Sequence, residues 1–407
     1  MLFTLFMENI SKDTITTNDS AQKTVYSILF SIAFAHLLND LLQAVIPAAY
    51  PILKDTYNLT FTQVGLITFS YQMAASLLQP FVGFYTDKHP KPYSQIIGMF
   101  FTTAGIILLA YAASFAIILV SVVLVGIGSS IFHPESSRVS FLASGGRRGL
   151  AQSIFQIGGN TGTAIGPLLI AWIVVPHGQK YIVYFAAIAI LAMIVLSQIA
   201  KWYQAHLNLT AKKKPVIVMP DLSPSRVVVT VIILLILIFS KYFYIASISS
   251  YFTFYLIEKF NVTVQDAQFH LFLFLAAVAL GTLIGGPLGD KFGRKYVIWF
   301  SVLGVAPFAL LLPYADLFWT SVLSVIIGLL LASAFPAILV YAQELLPKKL
   351  GMVSGLFYGF AFGMGGLGSA VLGNIADHQG IMYVYNICAY LPLIGVIAVF
   401  LPNLKKK

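Results

Sequence analysis

The stretch Ile131-Phe132-His133-Pro134-Glu135-Ser136-Ser137-Arg138 sets an imidazole, a carboxylate and a guanidinium within six residues, at the end of a long apolar run. Another apolar run carries His36, Asn39, Asp40 and Gln43, spaced i, i+3, i+4 and i+7, so a helix puts all four on one face. A third carries Ser240-Lys241-Tyr242, with Tyr244 two residues on. Carboxylates and imidazoles exchange protons, while ammonium and guanidinium groups counter an anion. Inside hydrocarbon all of them are costly, and they face a protein-lined interior where ions, protons or substrates pass. The pattern therefore points to proton binding and anion recognition within a membrane.

The elements that must hold these groups are apolar and long. Hydrophobic residues make up 59% of the 407 residues and charged residues 9%, whereas soluble domains sit near ~45–50% and ~25%. The runs predict an all-α integral membrane protein of twelve transmembrane helices, at about 24–53, 61–86, 94–113, 115–141, 149–174, 180–201, 227–257, 268–289, 296–313, 318–342, 350–374 and 382–402. The expected organisation is a tail at 1–23, a six-helix half at 24–201, a linker at 202–226, a second half at 227–402 and a tail at 403–407. Of the 24 Lys and Arg, 19 fall on one side of these spans, three on the other and two within them. That asymmetry places both termini in the cytoplasm. It also accounts for the net charge of +10 as a topology signal rather than a nucleic-acid surface. Met1–Lys23 lacks a signal-peptide pattern, so the first span is expected to serve as the uncleaved targeting signal. A single cysteine, Cys388, permits no intrachain disulfide or thiolate metal site. No metal and no cofactor are expected, and no phosphate-cradling Gly-rich loop suggests ATP as an energy source.

The chain repeats itself at an offset of about 202 residues. Gly83-Phe-Tyr-Thr-Asp87-Lys88 aligns with Gly286-Pro-Leu-Gly-Asp290-Lys291, Gly126 with Gly328, Pro134 with Pro336 and Gly149 with Gly351. The second copy continues Gly293-Arg294-Lys295, while the first is lost in His89-Pro90-Lys91-Pro92. One full and one degraded G-x-x-x-D-[RK]-x-G-R-[RK] loop, each after the second helix of its half, resembles the major facilitator superfamily. Gly158-x-x-x-Gly162-x-x-x-Gly166-Pro167 is similar to the antiporter motif of its drug-exporting members. His36-Leu-Leu-Asn39-Asp40, the octet around His133 and Ser240-Lys241-Tyr242 sharpen the likeness to bacterial drug exporters of that family. The resemblance implies two pseudo-symmetric halves, an inner-membrane location, proton-driven export of small toxic compounds including an anionic phosphonate antibiotic, and a cytoplasmic latch at Asp87, Gly286, Asp290 and Arg294.

Within that frame the residues divide into two sets. Asp40 and Glu135, with His133 as relay and Arg138 as tuning cation, are the candidates for proton coupling. His36, Asn39, Gln43, Gln72, Gln156, Asn160, Lys241 and Tyr244 are the candidates for substrate binding. The repeat offset carries Asp40 to 242, which sets Asp40 and Lys241 at similar depths in the two halves as a central pair. A static hydrogen-bond network at Asn39 and Asp40, a structural ion pair at Lys241, snorkelling of Arg138 and plain helix packing by the amides fit the same residues. Glu344 reads as a gate or surface acid. The expected partners are a small-molecule substrate, protons and the bilayer, in a monomer. An uptake symporter for an organic anion is the alternative. An intramembrane enzyme using His133 and Glu135 finds no support in a metal-binding His pair or a nucleophile elbow.

Overall fold

A computed structural model describes residues 24–210, 222–347 and 349–403; the side chains of Thr210, residues 285–287, Asp290 and Leu350 are outside those described. The 1–23 tail, residues 211–221 of the 202–226 linker and residues 404–407 lie outside the described residues. No strand occurs among the described residues. Among the described residues twelve helical segments follow one another: α1 (Tyr26–Tyr57), α2 (Phe61–Lys88), α3 (Ser94–Ala110), α4 (Phe115–Ala143), α5 (Arg148–His177), α6 (Gln179–Leu209), α7 (Pro224–Phe260), α8 (Val264–Phe292), α9 (Arg294–Tyr314), α10 (Leu317–Leu345), α11 (Leu350–Gln379) and α12 (Ile381–Phe400). Ten of them contain a stretch long and apolar enough to cross a membrane, while α3 is shorter and α2 is not among the ten. Helices α6 and α7 run further into the expected linker than the apolar runs suggested, α7 starting at Pro224, where a missing N–H costs nothing.

The packing repeats after six helices. In the first six, α1 packs on α5 and α6, α2 on α4, and α3 on α4 and α6; in the second six, α7 packs on α11 and α12, α8 on α10, and α9 on α10 and α12. The repeated glycines explain part of this. A Cβ on Gly126 would strike the Tyr71 carbonyl and come 2.8 Å from the Ala74 methyl, so α4 can sit on α2 only with glycine there. Gly328 does the same for α10 on α8, against the Phe274 carbonyl at 2.7 Å and the Ala277 methyl at 3.1 Å. Those neighbours are themselves related by the repeat. Small residues at such crossings let backbones approach where lipid offers no hydrophobic drive.

The two sets of helices meet along α2 with α11 and α5 with α8. The antiparallel α2–α11 contact is tied at both ends by an aspartate of one helix on the N-terminus of the other. Asp87 accepts from the Gly351 N–H at 3.2 Å and the Met352 N–H at 3.0 Å. Asp377 accepts from the Phe61 N–H at 2.9 Å, the Thr62 N–H at 2.8 Å and the Thr62 hydroxyl at 2.5 Å. Each carboxylate takes up donors that a first helical turn leaves unpaired and meets the positive end of the helix dipole. Between these ends, Gly355 lies against the Gln79 carbonyl and Gly359 against that of Ser76. The halves are thus in contact at both ends of α2 and α11.

Candidate functional site

Asp40 on α1 lies between two imidazoles. His36, one turn earlier, brings Nε2 to 3.1 Å from Asp40 Oδ2. His133 of α4 brings Nε2 to 3.5 Å from Oδ1, and the Asn39 amide donates to the same oxygen at 2.9 Å. The backbone fixes both rings from behind: His36 Nδ1 lies 2.8 Å from the Phe155 carbonyl and His133 Nδ1 3.1 Å from the Ser129 carbonyl. Phe155 stacks on His36 at 4.0 Å between ring centres, and Tyr358 and Phe362 of α11 flank His133 at 5.3 and 5.0 Å. Both histidines and Asn39 are buried. Helix α5 covers the group at Gly159, where a Cβ would come 2.5 Å from Asp40 Oδ2 and from the His36 ring.

Arg138 forms a second cluster nearer the Asp87 end. Its guanidinium donates to Asp87 Oδ1 at 2.5 Å and to the Thr86 carbonyl, and lies 3.4 Å from Glu135 Oε1. Glu135 is buried, and neither of its oxygens accepts a hydrogen bond of ordinary geometry from a described residue. The α4 cation is therefore committed mainly to the residue that caps α11. Arg138 is turned into the protein and 9% exposed, so its head group does not snorkel. In the second half Arg294 grips Glu344 with two bonds, at 3.0 and 2.7 Å. The other two latch positions, Gly286 and Asp290, lie on α8, and the Asp290 side chain is outside those described.

Lys241 and Asp40 form no ion pair. Lys241 is buried, lies 5.7 and 5.6 Å from the ring centres of Tyr242 and Phe335, and has no salt bridge to a described acid. The repeat maps Asp40 onto Tyr242 rather than Lys241, and one residue turns a helix face by ~100°. Tyr242 packs edge-on against Phe335, which in turn packs against Tyr358. Tyr244 is buried on the far side of α7, toward Cys388 and Tyr385 of α12. Among the amides, Gln152 donates to the Tyr358 hydroxyl at 3.0 Å and Tyr358 donates to Gln156 at 2.7 Å. Gln156 and Tyr358 are separated by the 202-residue offset itself, so equivalent positions of the two halves meet there. Asn160 donates to Thr282 of α8 at 2.6 Å. The Tyr71 hydroxyl donates to Gln43, whose amide nitrogen finds no described partner, and Gln72 Oε1 is likewise unpartnered. Tyr71, Phe335 and Tyr358 were not singled out in the sequence, and Tyr242 stood there only beside Lys241. Aromatic residues are so common here (14%) that composition does not mark which ones turn inward.

The Major Facilitator Superfamily family model matches residues 32–259 and 234–407. The chain belongs to the major facilitator superfamily. It is 60% identical over 385 residues to the fosmidomycin resistance protein of Escherichia coli (strain K12), an alignment covering 95% of each chain. It is 46% identical over 386 residues to an uncharacterized MFS-type transporter of Bacillus subtilis (strain 168), covering 94% of each. Among solved structures, the FucP facilitator crystallised in an outward conformation superposes with a TM-score of 0.67 at 16% identity, over 94% of this chain and 100% of that one; at that identity the likeness is one of fold. This facilitator is a multi-pass membrane transporter and not an enzyme.

Proposed function

We propose that this facilitator is a proton-driven exporter of small toxic compounds, fosmidomycin among them, working by alternating access in a bacterial inner membrane. The observation that carries this reading is the 60% identity, over 95% of both chains, to a protein named for fosmidomycin resistance. All twelve helices cross the bilayer in two six-helix halves of a monomer. Both termini lie in the cytoplasm, a placement supported by the 19-to-3 distribution of basic residues between the two sides. The Asp87 end then faces the cytoplasm and the Asp377 end faces outward.

The site's chemistry fits this reading. A buried lysine without a carboxylate partner is costly unless an anionic ligand compensates it, and Lys241 is the group for the phosphonate. The amides of α1, α2 and α5 supply neutral donors and acceptors around it. Asp40 and Glu135 carry the exchanged proton, with His133 and Arg138 beside them. One charge crossing ~100 mV releases about 2.3 kcal/mol. At about 1.4 kcal/mol per tenfold that sustains a gradient of roughly 50-fold per net charge. Asp87 with the α11 N-terminus, and Arg294 beside the matching loop, form the cytoplasmic latch that must open to admit the drug.

Lys241 fits an organic anion moving in either direction, so an uptake symporter is the second reading. Expressing the chain in a bacterial host that lacks its own relative separates the two. Export predicts a raised inhibitory concentration of fosmidomycin, lost in a Lys241→Met variant. Uptake predicts a lowered one. No change in susceptibility at confirmed membrane expression refutes both for this drug.

A further inference from the structure

The two imidazoles beside Asp40 are held in a way that restricts where a proton can sit. A backbone carbonyl only accepts hydrogen bonds, so the His36 Nδ1 facing Phe155 O at 2.8 Å carries the hydrogen, whereas the His133 Nδ1 lies 3.1 Å from both the carbonyl and the hydroxyl of Ser129, and a hydroxyl can donate as well as accept. The atom left on the His36 ring is Nε2, which points at Asp40 Oδ2 at 3.1 Å, while His133 Nε2 lies 3.5 Å from Oδ1. With no further proton, the His36 contact would set a lone pair against a carboxylate oxygen, which repels. A proton between them turns the contact into a charge-assisted hydrogen bond. The 3.1 Å contact of His36 with Oδ2 is of hydrogen-bond length, while the 3.5 Å contact of His133 is longer. Oδ1 is already served by the Asn39 amide.

We infer that the transported proton is bound between His36 Nε2 and Asp40 Oδ2, so that His36 belongs to the proton site rather than to the substrate site. This rests on the proton-driven reading above. Loaded, the pair is imidazolium and carboxylate with no net charge. Unloaded, it is neutral imidazole and carboxylate, one negative charge facing the route of an anionic drug. The proton leaves from Nε2, no other bond changes, and His133 Nε2 on the opposite oxygen is the receiving or delivering base. The other titratable groups that face the trio are Tyr71 from α2, Tyr242 from α7 and Tyr358 from α11. None is an acid or amine that could substitute for the imidazole. Gly159 completes the site, because any side chain there would enter the space of the pair itself.

The test is proton uptake or release by the purified, full-length protein in weak buffer with a pH-indicator dye, on addition of fosmidomycin. Wild type is expected to exchange protons on binding, with drug affinity changing about tenfold per pH unit over the range where the pair titrates. His36→Gln, checked for a monodisperse elution profile, is expected to bind drug with no proton exchange and a flat pH profile. His133→Gln is expected to retain the exchange and slow it. Exchange in His36→Gln equal to wild type overturns the inference and leaves proton coupling intact. No exchange in wild type overturns proton coupling and the inference with it. If His36→Gln does not fold, infrared difference spectra of the wild type decide the matter. A change in an imidazolium band on drug binding is expected; a change in a carboxylic-acid C=O band instead overturns the assignment.

Discussion

Replacing Asp377 by alanine should open one end of the molecule and leave the other shut. Asp377 accepts three hydrogen bonds from the first turn of α2, at 2.9, 2.8 and 2.5 Å. That turn already has its own cap, since Thr60 and Gln63 exchange bonds at 3.1 and 2.9 Å. What Asp377 adds is therefore a tie between halves rather than the existence of the helix. A cap contact is worth about 0.5–2 kcal/mol, and a charge at a helix terminus about 0.3–1 kcal/mol. The carboxylate is exposed, and water replaces its bonds when the end opens, so we take roughly 1.5 kcal/mol in total, after discounting for screening. At about 1.4 kcal/mol per tenfold, the open-to-closed ratio at that end rises roughly tenfold. Spin labels at Lys180→Cys and Glu258→Cys, both exposed, with Cys388→Ser removing the native thiol, report this by pulsed electron–electron distance measurement. The expected result is a longer-distance population in Asp377→Ala with the Asp87 end unchanged. Asp87→Ala should do the reverse and do more, because it also strips a partner from the buried Arg138. A distance distribution indistinguishable from wild type in Asp377→Ala refutes the view that these caps hold the ends.

Lys241→Met keeps an unbranched side chain one atom shorter and removes a buried charge that has no described carboxylate partner. Its melting temperature should hold or rise, while affinity for fosmidomycin falls by about 1.5–3 kcal/mol, roughly tenfold or more; unchanged affinity in a titration removes Lys241 from the substrate site. Glu135→Gln is nearly isosteric and keeps an acceptor 3.4 Å from the Arg138 guanidinium while removing the titratable group. Exchange of labelled for unlabelled drug should persist and uphill export should stop, and uphill export at the wild-type rate would assign the proton route wholly to Asp40 and its histidines. Gly328→Leu forces α10 off the Phe274 carbonyl and should lower stability by about 1–3 kcal/mol, as should Gly126→Leu at the equivalent crossing; a thermal-shift assay in detergent reads both.

Much of the architecture was legible because a bilayer leaves few choices: apolar runs of sufficient length become helices. The repeat was legible as well. Gly126 and Gly328 stand out as small residues at one offset, and the structure gives them the same task. Of the site, the His36–Asp40 pairing was readable as an i, i+4 contact. The approach of His133 from α4 was not, since no local pattern says which faces of two helices about 100 residues apart will meet. The pairing of Asp40 with Lys241 fails for a related reason: equal depth does not mean equal azimuth, and the register of the repeat points to Tyr242. Asp377 drew no notice because its partners, Phe61 and Thr62, are backbone donors more than 300 residues away.

The central claim is that drug moves outward at the expense of a proton gradient. Inverted membrane vesicles holding the protein, energised to an acidic interior and given radiolabelled fosmidomycin, test it most directly. The account predicts accumulation inside the vesicles that collapses when a protonophore is added and is absent from vesicles without the protein. Label that never exceeds the control, or that accumulates equally with the gradient dissipated, would contradict it.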